Sequence, residues 1–211
     1  MPVLPMFPLE HPLLPGEPLN LNVFEPRYRS LVADVLAGDG RFGIVLISRG
    51  SEVGGGDERC DVGTVAQLVG HRVRVNDQIQ LACRGTDRLR VTTWLEDAPY
   101  PRADVELWPD EPIGRDEWAL ARVPFTSVLA EAQALYDEVS ARSGRPPVTL
   151  GAPDDLPPTE YTFRTAATLP LGAADRYAIL SAPGARERLD AMIRALDDVL
   201  PILRDRLDSS D

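Results

Sequence analysis

Lysine is absent from this chain: across 211 residues, all 22 basic side chains are arginine. A nucleotide-binding P-loop needs its lysine to reach the phosphates, and a serine-lysine protease needs a lysine base. Neither engine is present in these residues. No stretch approaches the ~18 consecutive apolar residues of a membrane span, and the N-terminus has no charged start and apolar core of a signal peptide. The expectation is a cytoplasmic protein with no membrane partner. Cysteine is nearly missing too, with only Cys60 and Cys83, which agrees with a reducing compartment. His11 and His71 are the only imidazoles, and no Gly-x-Ser-x-Gly segment marks a nucleophile elbow. The separations among these cysteines and histidines do not match the short-range pairs of a zinc site. We therefore read the chain as not an enzyme, with no catalytic residues, metal or cofactor.

Basic charge is also scarce. A net charge of −11 and a pI near 4.7 make gripping a phosphate backbone or an anionic membrane unfavourable without a local basic surface. What remains is a 44% hydrophobic chain, able to bury about 70% of its unfolded surface without disulfides.

Residues 1 to about 108 read as short strands: Val3 to Leu9, Leu19 to Phe24, Phe42 to Ser48, Asp61 to Val75, Ile79 to Trp94 and Arg102 to Trp108. One helix, from about Glu25 to Ala37, interrupts them, with Tyr28, Leu31, Val32, Val35 and Leu36 at helical spacing and Gly38 at its end. After Trp108-Pro109-Asp110-Glu111-Pro112 the period changes to helical, which predicts domains at 1–110 and 111–211. A stripe from Trp118 through Phe125, Val128, Leu129 and Leu135 to Val139 predicts a long helix that Pro124 should kink or delay. A surface loop from Ser143 to Pro158 follows, then a helix capped by Thr159, a shorter one around Ala173 to Leu180, and a last one. In that last helix Leu189, Met192, Ile193, Leu196, Val199, Leu200 and Leu203 make one face, and Asp190, Arg194 and Asp198 are spaced for ion pairs on the other. Pro201 should bend its end.

The opening block is the most specific segment. Leu4-Pro5-Met6-Phe7-Pro8-Leu9 is followed by Leu14-Pro15-Gly16 and then by Phe24-Glu25-Pro26-Arg27-Tyr28. Pro12 and Pro15 stiffen the turn, and Pro26 sits in the first turn of the helix, with Glu25 as its N-terminal acid. Further on come Phe42-Gly43-Ile44-Val45-Leu46, Val62-Gly63-Thr64-Val65-Ala66, Gly85-Thr86-Asp87-Arg88-Leu89-Arg90-Val91, Pro99-Tyr100-Pro101-Arg102 and Leu169-Pro170-Leu171. This ordered set resembles the N-terminal, substrate-recognition domain of Lon proteases over nearly the whole chain. The resemblance implies an α+β fold: a PUA-like six-stranded β-barrel with one helix, followed by a bundle of three to four helices. It also implies a stand-alone, non-catalytic protein-binding module, without the ATPase and protease domains, that binds unfolded or client polypeptides or acts as an adaptor.

Two groups of residues are candidates for binding. Leu13 and Leu14 in the stiff turn, with Phe7 nearby, either form a shallow apolar surface or plug the barrel end. If a hairpin turns around Asn76-Asp77-Gln78, Val75 faces Ile79 and Cys83 faces His71. Cys60 then lies about eleven positions, or roughly 36 Å, from Cys83, beyond disulfide reach. With Val73, Val75, Ile79, Leu81, Leu89 and Val91 inward, Arg72, Arg74, Arg84, Arg88 and Arg90 share the other face. Such a face would hold carboxylates or phosphates, or pair with the protein's own acids. It supports the alternative of an RNA-binding PUA-like module, against which stand the acidic net charge and the lack of aromatics interleaved with the arginines; nucleic acid is not the expected partner. The acids Glu52, Asp57, Glu58, Asp61, Asp154 and Asp155 read as solvated loop charge, and Gly54-Gly55-Gly56 as a connector.

Overall fold

The computed structural model describes residues 2–50, 56–74 and 78–208. Glu52, Gly54, Gly55, Val75, Asn76 and Asp77 lie outside the described residues. The fold is α+β, and the chain divides into two compact units, Met1–Pro109 and Asp110–Asp211.

The first unit runs β1 (Val3–Leu9), β2 (Pro18–Val23), α1 (Pro26–Ala37), β3 (Arg41–Arg49), β4 (Glu58–Val73), β5 (Ile79–Trp94) and β6 (Arg102–Leu107). The sheet order is β2-β5-β4-β3-β1-β6, and β6 also pairs with β5. One edge of β5 is shared: Ile79 to Arg84 pair with β2, and Leu89 to Trp94 pair with β6. The ring of pairings therefore passes through five strands, and β2 hangs outside it. The six expected strands are all in this sheet. The barrel is not strictly closed, because β5 gives successive segments of one edge to two partners and leaves the sheet open beside β2.

Two bulges reset which side chains face inward. Thr64 pairs with Arg88 but Ala66 with Gly85, so β5 carries an extra residue; Leu68 pairs with Cys83 but Gly70 with Ala82, so β4 carries one. Each extra residue shifts the alternation by one. Leu81 and Cys83 accordingly join a core with Leu31, Val32, Phe42 and Ala66, whereas Leu89 and Val91 join a second core with Met6, Val45, Val65 and Val105. Helix α1 covers the first core through Tyr28, Leu31, Val32 and Val35, while Leu36, expected on the same face, is 44% exposed.

The bulge in β4 also sets the hairpin register. Val73 pairs with Ile79, His71 with Leu81 and Cys83 with Leu68, which corrects the expected Cys83–His71 pairing. Val73, expected inward, is 61% exposed. Neither Cys60 nor Cys83 is joined in a disulfide.

The second unit holds α2 (Arg115–Ser143), α3 (Pro158–Thr168), α4 (Ala173–Leu180) and α5 (Ala185–Asp208). Helix α2 continues through Pro124, which stands on an exposed face with Leu120 and Val123, and ends at Gly144 in the left-handed conformation. An exposed position lets water replace the backbone bond that a proline removes. Thr159 does not cap α3; Pro157 occupies that position, and the Thr159 hydroxyl donates to Asp110 at 2.6 Å. On α5, Leu189, Met192, Leu196 and Leu200 are buried. Arg194 makes no ion pair among the described residues, in contrast to its expected partnership with Asp190 and Asp198. Holding two long exposed side chains in one geometry costs about as much entropy as such a pair returns. The helix continues through Pro201 to Asp208.

A charged side chain is taken wholly into this unit. Arg188 is fully buried; its guanidinium donates to Asp110 Oδ1 at 2.9 Å and Thr162 Oγ1 at 2.8 Å, and lies 4.0 Å from the Phe163 ring centroid. A buried guanidinium is tolerable only when paired and hydrogen-bonded in this way. Among the described residues, no helix is long and apolar enough to cross a membrane.

Candidate functional site

The open side of the sheet holds a cleft of about 280 Å³. Phe7 and Leu9 of β1, Leu21 and Val23 of β2, and Tyr28 of α1 give it an apolar lining; Asn20, Asn22, Phe24 and Glu25 complete it. Its position follows from the strand order, since β2 is paired on one side only among the described residues. A strand paired on one side turns alternate N–H and C=O groups outward, where they remain available to another strand. Pro18 begins β2, a place where an edge strand tolerates a missing donor. Phe24, just past the strand, is 55% exposed although large and apolar.

The floor of the cleft is an aromatic pair. Phe7 and Tyr28 stack at 4.1 Å between centroids, and the Arg27 guanidinium lies 4.4 Å from the Tyr28 ring on its way to Glu25, which accepts from Arg27 Nε at 3.1 Å. Glu25 is the N-cap residue of α1 without a side-chain bond to the helix, so its carboxylate is used on Arg27 instead. Burial pushes the Tyr28 hydroxyl up to about 12, against the lowering effect of Arg27.

Nearby charge is already committed. Arg59 donates to Asp57 at 2.6 Å and to Asp97 at 2.7 Å, and its guanidinium lies 5.0 Å from the Trp94 ring centroid. Burial acts to raise the Asp57 carboxyl, but its hydrogen bond with Arg59 prevails and holds it below the usual range. Asp61 accepts from Trp94 Nε1 at 3.2 Å, and Glu58 faces Arg49 at 3.7 Å. In the other unit, Asp154 is bonded to Arg122.

The binding candidates read from the sequence separate. Leu13 and Leu14 are buried, at 5% and 0% exposure, so of the two expected arrangements they take the inward-packed one. The turn is clamped: Thr64 Oγ1 donates to the Leu13 carbonyl at 2.5 Å, the Leu14 N–H donates to Glu17 at 2.9 Å, and a Cβ on Gly85 would lie 2.6 Å from the Leu14 carbonyl. Of the three apolar candidates, Phe7 alone borders the cleft.

The five arginines do not share a face. Arg84 pairs with Gln67, whereas Arg88 and Arg90 pair with Thr64 and Val62, on the far side of the β5 bulge. Arg88 is buried, and both guanidiniums stack on Trp108, at 4.2 and 4.1 Å from its ring centroid. Arg72, Arg74 and Arg84 remain exposed together on the other face. The role of Trp108 escaped sequence reading because the bulge that turns Arg88 toward it has no local signature. The edge character of β2 did have one: a short strand begun by proline, with Asn20 and Asn22 alternating with Leu19, Leu21 and Val23. His11 and His71 are exposed, and neither imidazole makes a hydrogen bond or ion pair among the described residues.

Comparison with known proteins bears on both units. The family model of the ATP-dependent protease La (LON) substrate-binding domain matches residues 3–198. A Lon protease of Syntrophus aciditrophicus (strain SB) is 24% identical over 208 residues, 95% of this chain and 26% of that protein. Lon protease 2 of Myxococcus xanthus is 32% identical over 111 residues, 52% of this chain and 13% of that one. The chain thus spans about a quarter or less of the relatives it matches. Among solved structures, the Lon N-terminal domain protein from Xanthomonas campestris has a TM-score of 0.64 at 24% identity, covering 92% of this chain and 98% of that one. The N-terminal domain of the Mycobacterium avium complex Lon protease also has a TM-score of 0.64, at 14% identity, covering 93% and 99%. At these identities the structural likeness speaks to the fold alone.

Proposed function

Because the chain belongs to the LON substrate-binding domain family, we propose that it is a non-catalytic protein-binding module that takes extended, apolar segments of unfolded or client polypeptides. The observation that carries this reading is the coincidence of the free β2 edge with the apolar cleft. An edge strand recognises any backbone in extended conformation, and a groove beside it selects alternate side chains. On β2, Leu21 and Val23 supply the apolar part of the cleft lining and Asn20 and Asn22 the polar part, so an added strand would bring apolar side chains to Phe7, Leu9 and Tyr28. An adaptor role is the same binding event with a folded partner contributing the strand.

Titration of a labelled ten-residue apolar peptide and of a permanently unfolded model protein, followed by anisotropy, tests this. The expected result is saturable binding that weakens about tenfold in Phe24→Asp, since putting a charge where an aromatic ring would be covered by the peptide costs at least that factor. Absence of detectable association at high micromolar concentration removes the proposal. Slowed hydrogen exchange at β2 amides in the complex would locate the binding strand.

A further inference from the structure

The face of β2, β4 and β5 that carries Asn20, Asn22 and Arg84 has a composition of its own, and it meets the cleft only along β2, at Asn20 and Asn22. Its rows are Asn22–Gln80–Arg72, Asn20–Ala82–Gly70 and Pro18–Arg84–Gln67, read across the three strands. The Arg74 N–H donates to the Gln78 carbonyl at 2.8 Å, which continues the ladder and sets Arg74 on the same side as Arg72. No acidic residue stands in these rows, and among the described residues Arg72, Arg74 and Arg84 make no ion pair. Arg84 gives one nitrogen to the Gly16 carbonyl at 2.9 Å, and Gln80 bonds Asn22 at 2.9 Å, so these side chains are bonded to neutral groups. Three cations with no acidic partner among the described residues stand on one face of a chain whose net charge is −11. Between the arginine rows, Ala82 and Gly70 leave a shallow trough, with Arg72 and Arg84 separated by about 13 Å at strand rise.

We propose that this face docks an acidic, extended polypeptide segment, with carboxylates paired to Arg72, Arg74 and Arg84. Guanidinium forks match carboxylates in bidentate geometry, and small residues between them let a backbone approach the sheet. A polypeptide fits better than single-stranded RNA, because none of the rows contains an aromatic side chain on which a base would stack. The proposal rests on the reading of the chain as a polypeptide-binding module and adds a second, electrostatic site centred on the arginines at the β4–β5 end of this face.

The test is anisotropy titration of the whole chain with four labelled probes: a peptide alternating Glu and Gly, its Gln and Gly counterpart, a ten-nucleotide oligouridylate, and the apolar peptide. Two variants are compared with wild type, Arg72→Gln with Arg74→Gln, and the same pair with Arg84→Gln; the first spares the bond to Gly16. The expected result is that the Glu peptide binds more tightly than the Gln peptide, weakens with salt, and loses about tenfold in the triple variant, the combined effect of three exposed charge pairs. Apolar peptide binding should be unchanged in both variants. Equal binding of Glu and Gln peptides, tighter binding of oligouridylate, or unaltered Glu affinity in both variants overturns the acidic site. If the apolar peptide still binds in those cases, the broader reading stands alone; if no peptide binds, both fall.

Discussion

Phe7 and Tyr28 stack nearly face to face, with centroids 4.1 Å apart and planes 19° from parallel. One comes from the opening strand and the other from the first turns of α1, so the pair fixes the helix on the sheet and forms the floor of the cleft. Tyr28→Ala should cost about 3 to 5 kcal/mol of unfolding free energy, as large-to-small changes in a packed core do. Tyr28→Phe keeps the stack and should stay within about 1 kcal/mol of wild type. Urea denaturation separates the two, and equal losses would mean that the hydroxyl, not the ring, holds the site.

Arg188 and Asp110 make a sharper prediction. Arg188→Met should destabilise the helical unit by about 3 to 5 kcal/mol, because it leaves the Asp110 carboxylate without its buried partner. Adding Asp110→Leu should recover most of that loss, since an apolar pair of similar size needs no compensation. A double variant no more stable than the single one would show that the ion pair is net stabilising.

Two glycines of β4 should behave oppositely. A Cβ on Gly63 would lie 2.2 Å from the Ile44 carbonyl, whereas nothing stands within 4 Å of one on Gly70. Gly63→Ala must push β3 and β4 apart and should lower the thermal midpoint steeply, while Gly70→Ala should change stability by about 0.5 kcal/mol or less. Differential scanning of both variants checks the contrast.

Alkaline pH should unfold the first unit by a defined route. Burial raises the Cys83 thiol to about 11 and the Tyr28 hydroxyl to about 12; burial, with Asp34 accepting from its hydroxyl, raises Tyr100 to about 12. Each group stays neutral in the folded chain at pH values where the unfolded chain has lost its proton. The unfolded state therefore binds fewer protons, and stability falls with rising pH. The loss begins near the ordinary thiol value of about 8.5 and continues through the ordinary phenol value of about 10. It is complete only once pH exceeds the folded values. Urea midpoints measured from pH 8 to 12 should fall throughout, and Tyr28→Phe should flatten the upper part of the curve. An unchanged slope in that variant would contradict the assignment.

The periodic elements could be read from sequence because their causes are local. Pro26 starts α1 and Gly38 ends it, Val3 to Leu9 form a short apolar run bounded by polar and turn residues, and Leu189 to Leu200 recur at helical spacing, each within a few residues of chain. The clamping of Leu13 and Leu14 was half legible: the prolines predict a stiff turn, but its burial depends on Thr64 and Gly85, distant in the chain.

By itself, then, the sequence determined the order of strands and helices, the period change near Pro109, and the family that the whole chain belongs to. Tertiary structure alone decided which side chains share a surface. One extra residue between Gly85 and Arg88 turns Arg88 and Arg90 onto Trp108 and leaves Arg72, Arg74 and Arg84 behind. The division of one β5 edge between β2 and β6 opened the cleft. Both follow from pairing between distant segments, where a slip of a single residue exchanges the faces of a strand without altering its composition.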